Sequence, residues 1–510
     1  MALFTAAQIR ASETGPAAES RGPRAARAAA IQRLEQDAPF PRYSRVVVAG
    51  VVRLVEFWIV VAGGLALAER HFLGRGGLGG AHFLVAAAAA LGTCAAIQAL
   101  KAYTIPALRL PYAPVVRVWG ALGGVFLTLY ALSVVFDLDT LVSRTWLSSW
   151  FWFSLGALTA ERLITGAIVW RLARAGRLER RAVVVGGGSP YAADVMRELA
   201  YADAAEARIV GVFDDRGDDR APEMVEGVPK LGNVDDLVEF ARRARIDLVI
   251  FALPISAEAR ILEMLRKLWV LPVDVRLAAN ANRLRLRPRS YSYIGRAALL
   301  DVFDKPLGDW DLAIKSAFDR CVGALALVAL APVMLAAAIA VKLDSRGPVL
   351  FRQMRYGFNN ELIAVYKFRT LRQDATDATA EKLVVVNDSR VTRIGHFLRR
   401  TSIDELPQLF NVAIRGDLSL VGPRPHAINA RAADRLYDEV VENYFARHRV
   451  KPGITGWAQI NGWRGQTDTS EKLQNRIEHD LYYIENWSME FDLYILAMTP
   501  FALFTGKNAF

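Results

Sequence analysis

Cysteine is nearly absent: Cys94 and Cys321 are the only two in 510 residues, and each lies inside an apolar run. Small buried hydrophobes are their ordinary role there, which excludes a disulfide framework and a metal–thiolate centre. Residues 1–42 lack a compact apolar core followed by a cleavage site. Rich in Ala, Arg and Glu, they read as a disordered cytoplasmic arm and not as an export signal. A separate basic domain is missing too. The formal charge is +11, but many arginines flank apolar runs, which favours lipid headgroups and phosphorylated substrates over nucleic acid as partners.

What is present in quantity is apolar. Hydrophobic residues make up 53% and charged residues 23% of the chain, so membrane and soluble parts must be segregated along it. Four apolar runs, at 46–68, 82–100, 115–136 and 146–170, each approach the ~20 residues a helix needs to cross hydrocarbon. They predict a four-helix transmembrane bundle over residues 43–172. Arg33, Arg42 and Arg45 precede the first run, Lys101 and Arg109 follow the second, and Arg171, Arg174, Arg177, Arg180 and Arg181 follow the fourth. The segment 137–139 is acidic, so the positive-inside rule puts both ends of the bundle in the cytoplasm. Arg53, Glu56, Arg117, Glu161 and Arg162 fall within the runs. Most stand near an end, where they can snorkel or pair locally; the alternative is a transport path.

From 178 to 280 apolar strands alternate with helical patterns, which predicts a Rossmann-like α/β domain. Its first strand runs into Gly186, Gly187 and Gly188, a turn where backbone can approach a phosphate. Tyr191 stands where the dinucleotide fingerprint has its third glycine. A regulatory or structural domain is therefore favoured over an active dehydrogenase, despite Asp214 and Asp215. Residues 281–311 form a linker in which Arg283, Arg285, Arg287 and Arg289 either lie against anionic headgroups or line a solvated strand.

A fifth apolar run, 321–341, is flanked by Arg320 and Lys342 and is long enough to span. Pro332 offers another path, since an internal proline removes one backbone bond and kinks a helix. Within 312–343 the chain either crosses the membrane or enters and leaves on one side as a re-entrant helix.

The remainder of 312–510 reads as an α-rich domain with clustered motifs. Lys367 and Arg369 sit on one side of an extended segment. Arg399 precedes Asp404 and Glu405, and Pro407 fits the start of a helix, whose free amides would favour phosphate. Ser402 and Glu405 also have capping-box spacing, which by itself needs no chemistry. A cap, however, requires neither Asp404 nor the neighbouring arginines. His426, after Gly422-Pro423-Arg424-Pro425, reads as a helix-start or packing residue, with a catalytic group as the alternative.

The chain resembles the bacterial polyprenyl-phosphate hexose-1-phosphate transferases, long form. The resemblance is carried by Tyr366-Lys367-Phe368-Arg369-Thr370, Arg399 through Gln408, Gly422-Pro423-Arg424-Pro425, Lys451 through Gln459, and Asp480 through Ser488 with Asp492 beyond. It implies a membrane protein of α and α/β class: a four-helix transmembrane bundle, a Rossmann-like domain and a catalytic domain with a re-entrant helix. It also implies transfer of hexose 1-phosphate from a UDP-sugar to undecaprenyl phosphate with release of UMP, in the presence of Mg2+. This is the first membrane step of exopolysaccharide, capsule or O-antigen synthesis, on the cytoplasmic face of the bacterial inner membrane.

By the same resemblance Asp404 is the nucleophile, Glu405 a Mg2+ ligand, Pro332 the kink, and Lys367, Arg369, Arg399 and Arg424 hold phosphate oxygens. Asp480 and Asp492 match late acidic positions whose service to metal, nucleotide or fold stays open. Asp404 as a general base is the competing mechanism. The 461–469 segment looks like that of glucose-type members, with galactose as the second choice, or it contacts lipid or the α/β domain and says nothing of the sugar. A nucleotide-sugar oxidoreductase and a non-catalytic assembly scaffold complete the alternatives, and a homodimer is compatible with the large apolar bundle.

Overall fold

The computed structural model describes residues 43–72, 79–109, 113–137, 142–189, 191–200, 207–216, 222–254, 257–278, 292–294, 297–372, 388–426, 431–432, 435–436, 444–463, 465 and 469–505. The arm 1–42 and the linker arginines 283, 285, 287 and 289 lie outside them. The chain forms two compact units, the first chiefly Ala38–Arg180, the second chiefly Arg181–Tyr201 with Ile209–Phe510.

The first unit contains α1 (Arg45–Phe72), α2 (Gly80–Ala99), the short α3 (Ile105–Arg109), α4 (Ala113–Val135) and α5 (Arg144–Arg174). Helices long and apolar enough to cross a membrane, among the described residues, are α1, α2, the 115–135 part of α4 and a later helix, Asp309–Asp344. The fourth predicted span is helical over 31 residues as α5, but Glu161 and Arg162 interrupt its apolar character. Packing compensates for them. Arg162 Nε lies 2.6 Å from Glu56 Oε1 on α1, and the Tyr103 hydroxyl donates to Glu56 Oε2 at 2.6 Å. These charges thus pair across helices in the bundle core, not locally at the ends as the sequence suggests. The backbone of α1 approaches α5 closely at Gly64, where a Cβ would meet the Trp150 ring at 2.5 Å. That approach lets the Trp146 and Trp150 indoles donate to the carbonyls of Gly64 and Val60, satisfying buried polar groups that lipid would leave unpaired.

The second unit opens with an α/β layer: β1 (Arg181–Val185), α6 (Ala192–Ala200), β2 (Arg208–Phe213), β3 (Met224–Val225), β4 (Val228–Gly232), α7 (Val234–Ala244), β5 (Leu248–Phe251), α8 (Glu258–Leu268), β6 (Asp274–Ala278), β7 (Ser292–Ile294) and β8 (Ala297–Phe303). The strands form one sheet in the order β3-β4-β2-β1-β5-β6-β8-β7. Strand β5 pairs in parallel with β1 (Val183↔Val249) and with β6 (Val249↔Val275), while β8 runs antiparallel to β6. The near-continuous apolar runs of β1 and β5 belong at the centre of a sheet covered on both faces, and residues of both are buried.

The rest of this unit is built on α9 (Asp309–Asp344), β9 (Leu350–Tyr356), β10 (Leu362–Phe368), α10 (Arg393–Thr401), β11 (Ser419–Val421), β12 (Gly453–Thr455), α11 (Ser470–Glu485) and α12 (Met489–Thr505). Helix α9 is continuous through Pro332, so the proline lies within one helix and not between two. Both its ends are bonded to the domain that follows. Near the start Lys315 Nζ reaches the Val421 carbonyl at 3.1 Å and Asp492 at 2.6 Å. Past the end, Arg369 donates to the Ser345 carbonyl at 2.7 Å. Leu325, Val328, Leu335 and Leu343 stay exposed between. At 1.5 Å per residue the path of the helix is about 54 Å.

Candidate active site

Strand β10 pairs with β9 over its whole length, Leu362↔Tyr356 to Phe368↔Leu350, and this places Lys367 at the open end of the hairpin. Helix α10 starts at Thr392, whose hydroxyl accepts from the Gly395 amide at 3.0 Å, and ends at Ser402, which is left-handed with φ 58°. The reversal leads into a single tight turn, Ile403–Glu405, carrying both carboxylates. The capping-box interpretation of Ser402 and Glu405 therefore fails: Ser402 makes no side-chain cap bond there, and Glu405 turns to Lys367 and Arg424 instead. The α-helical turn Gln408–Phe410 runs directly into a π-helix, Asn411–Arg415, so the carboxylates stand just ahead of a continuous helical stretch that ends at the left-handed Gly416. Side-chain cations surround the two carboxylates ahead of it.

Glu405 Oε1 receives Lys367 Nζ at 2.7 Å and Arg424 Nη2 at 2.8 Å. Asp404 is buried and its carboxylate has no hydrogen bond among the described residues. Burial pushes its pKa up to about 6, with Lys367, Arg399 and Arg424 pulling the other way and Glu405 adding to the rise. Burial also lowers the pKa of Lys367, against the pull of Glu405. Arg399 donates to Thr370 at 2.8 Å. Arg424 stands on the Gly422–Pro425 turn, where a Cβ on Gly422 would lie 2.5 Å from the Lys451 carbonyl oxygen. Only glycine permits this backbone crossing. The Arg424 guanidinium Nη1 is buried and, among the described residues, has no hydrogen-bond partner, a donor that an incoming phosphate oxygen would satisfy.

A further cation, Arg355, escaped sequence reasoning because it approaches across the hairpin and belongs to no motif. It donates to the Pro425 carbonyl, and burial followed by the repulsion of Arg424 lowers its pKa to about 10. Lys367, Arg355, Arg399 and Arg424 face Asp404 and Glu405, so the cluster carries a surplus of positive charge. A diphosphate would neutralise it.

Other predicted residues stand elsewhere. Arg369 is buried, and its guanidinium donates to the carbonyls of Ser345 and Arg346, fastening the end of α9. Asp480 pairs with Arg447 at 2.6 Å. Asp492 is fully buried and bonded to Lys315, Tyr483 and Trp487. The Lys315–Asp319 pair that shares this network went unnoticed, although its four-residue spacing on one helix was a readable sign. His426 stacks with Tyr444 beside Arg447, and burial with that neighbouring charge keeps its pKa well below the usual range, which makes it a packing residue. In the 461–469 segment, Arg464 and Gln466 to Asp468 lie outside the described residues.

Among the described residues no three acidic, His or Cys groups converge as a metal cage. Two adjacent carboxylates nonetheless suit Mg2+, which keeps waters and is commonly held by one or two carboxylates together with substrate phosphates. An apolar cavity of about 250 Å³ opens beside Glu405, with Ala326 and Leu330 of α9 and Thr499 and Ala502 of α12 in its wall. The glycine turn of the α/β layer is closed on itself: the Gly188 amide donates to Asp214 at 2.5 Å, and Arg216 donates to the Gly188 carbonyl at 2.7 Å. The amide a dinucleotide would need is already bonded.

Carboxylates set among surplus cations, next to an apolar helix and cavity, define an enzyme site for phosphorylated substrates at a membrane. Comparison with known proteins narrows the class. Residues 310–506 match the bacterial sugar transferase family, and residues 98–279 match a family described as a CoA-binding domain. The chain is 35% identical over 393 residues to the UDP-glucose:undecaprenyl-phosphate glucose-1-phosphate transferase of Xanthomonas campestris pv. campestris, covering 77% of this chain and 80% of that one. With the enzyme of the same name from Escherichia coli K12 it shares 36% over 392 residues, 75% of this chain and 81% of that one. With the undecaprenyl-phosphate glucose phosphotransferase of Komagataeibacter xylinus it shares 41% over 362 residues, 71% and 66% of the two chains. The chain belongs to the bacterial sugar transferase family, the polyprenyl-phosphate hexose-1-phosphate transferases, and is an enzyme of that kind.

Proposed function

We propose that the protein transfers glucose 1-phosphate from UDP-glucose to undecaprenyl phosphate, releasing UMP, at the cytoplasmic face of the bacterial inner membrane, as the initiating step of an exopolysaccharide. The observation that carries the chemistry is the buried, unbonded Asp404 carboxylate among Lys367, Arg399 and Arg424. An oxygen of Asp404 attacks the phosphorus next to the sugar. The bond from that phosphorus to the bridging oxygen breaks, and UMP leaves with the oxygen and its electron pair. A phosphate oxygen of the lipid then attacks the same phosphorus and expels Asp404, giving the diphosphate-linked glycolipid. Neither step needs a proton removed, because both nucleophiles are anions; this favours covalent catalysis over general-base catalysis. Arg424, through its unpartnered Nη1, and Lys367 offset charge on the donor phosphates. Glu405 would hold Mg2+, which supplies further charge neutralisation when bound.

The apolar cavity beside Glu405 suits the lipid's first isoprene units. Helix α9 is bonded near its start and past its end to one domain while its middle exposes leucine and valine, which supports membrane re-entry over crossing: a span would put those two attachments on opposite faces of the bilayer, whereas a bend at Pro332 keeps both on one face. Glucose as the sugar is supported by the names of the relatives. The test is purified full-length protein with Mg2+, undecaprenyl phosphate and either UDP-glucose or UDP-galactose. UMP and glucose-lipid are expected with the first donor. Absence of both products, with either donor, would reject the reading.

A further inference from the structure

The α/β layer is bonded to the same short segment that holds the catalytic arginine. The turn Tyr444–Arg449 lies between them, and most of it is buried. On its outer side, the Arg242 guanidinium at the end of α7 covers the Phe445 ring at 4.6 Å, and Arg449 covers the Trp269 ring at 5.3 Å. Next to it, Asn359 Nδ2 donates to the Ala241 carbonyl at 3.0 Å and Arg245 Nε donates to Glu361 at 2.7 Å. Asn360, the neighbour of Asn359, bonds His448 of the turn. On its inner side, Arg447 is 1% exposed. One fork of its guanidinium donates to the Arg424 carbonyl at 2.6 Å and to Asp480 at 2.6 Å, and the other reaches His426 Nδ1 at 2.5 Å. Arg424 in turn donates to Glu405.

We propose that Arg447 is a positioning residue for the transfer reaction, and that the α/β layer fixes it by clamping the 444–449 turn. The inference rests on the proposed reaction only for its readout. Arg447 touches no reacting group. It holds the backbone from which Arg424 reaches Glu405 and the donor phosphate, so loosening the turn displaces Arg424 without removing any catalytic side chain. An interface between domains that biases a site in this way typically contributes about 5- to 150-fold. The paired charge Asp480 explains why a lysine would not substitute. It can keep the ion pair but has no planar fork with which to reach the Arg424 carbonyl and His426 together.

The experiment uses the full chain in lipid nanodiscs, with UDP-glucose, undecaprenyl phosphate and Mg2+, and reads donor and acceptor KM separately together with hydrogen exchange at 444–449. In Arg447→Lys the donor KM is expected to rise by about tenfold with the acceptor KM unchanged. The clamp is removed from the α/β side by Arg242→Ala/Arg245→Ala/Trp269→Ala, which is expected to raise exchange at 444–449 and to reproduce the Arg447→Lys donor defect. Faster exchange with an unchanged donor KM would overturn the proposal, as would unchanged exchange in the triple variant, or equal rises in both KM values for Arg447→Lys. Inactivity of the unaltered protein would instead indict the proposed reaction, which separates the two failures.

Discussion

Lys367 Nζ and Arg424 Nη2 meet on a single oxygen of Glu405, at 2.7 and 2.8 Å, and the neighbouring Asp404 carboxylate has no hydrogen bond among the described residues. One carboxylate of the pair is thus held while the other is free to react.

Asp404→Asn keeps the shape and removes the nucleophile. Transfer is expected to fall by 10⁴-fold or more, on the order seen when a catalytic nucleophile is removed. Quenching the unaltered enzyme with phosphate-labelled donor should leave label on the protein, and the variant should retain none.

Asp404 has its pKa raised to about 6 in the folded protein, and the reaction needs the anion. Donor kcat/KM should therefore climb as pH rises through about 6. Stability runs the other way. A carboxyl whose folded pKa lies above its unfolded value stabilises fully below the unfolded value, near 4, and that contribution is lost as pH rises through about 6. Asp404→Asn should accordingly be more stable than the unaltered protein at pH 8, by roughly 1–3 kcal/mol, and equal at pH 3.5. Thermal unfolding at the two pH values checks the sign.

Lys367→Met takes one cation from a partly buried ion pair. Because Arg424 still reaches Glu405, the stability loss should be at the low end of the 3–5 kcal/mol typical of a broken buried pair, about 3 kcal/mol. Donor KM should rise more than acceptor KM, measured by titrating each substrate at saturating levels of the other.

In the bundle, Glu56 and Arg162 are both almost fully buried. Removing one, as in Arg162→Met, leaves a charge in an apolar core and should cost about 3–5 kcal/mol. The double variant Glu56→Leu/Arg162→Met should recover most of that loss in detergent thermal unfolding, because neither charge is then stranded.

Chelation of divalent cations should stop transfer, and Mg2+ should restore it. Isothermal titration without lipid should also show UDP-glucose binding weakened on chelation, if Glu405 holds the ion against the diphosphate.

The chain's periodicity and motifs made much of this legible. Apolar runs announced the bundle helices, β1 and β5 declared themselves as buried strands, and the Asp404–Glu405 pair with Lys367, Arg399 and Arg424 is brought together in space. Two local interpretations did not survive packing. Ser402 has the spacing of a cap but adopts a left-handed conformation, because the chain must turn there to deliver Asp404 to the cations. Arg369 lies two residues from Lys367, yet beyond the end of β10 it turns to the carbonyls of Ser345 and Arg346 and closes the end of α9.

Composition and local order by themselves determined which segments are apolar, which are strands, and which residue types meet in the reactive motif, because those depend on neighbours in the chain. Whether a charge faces substrate or fold was decided only in three dimensions. Arg355, Arg447, Asp480 and Asp492 found their partners across 70, 23 or 33, 33, and 177 positions respectively, and at such separations burial and mutual charge compensation, not sequence spacing, select the pairings.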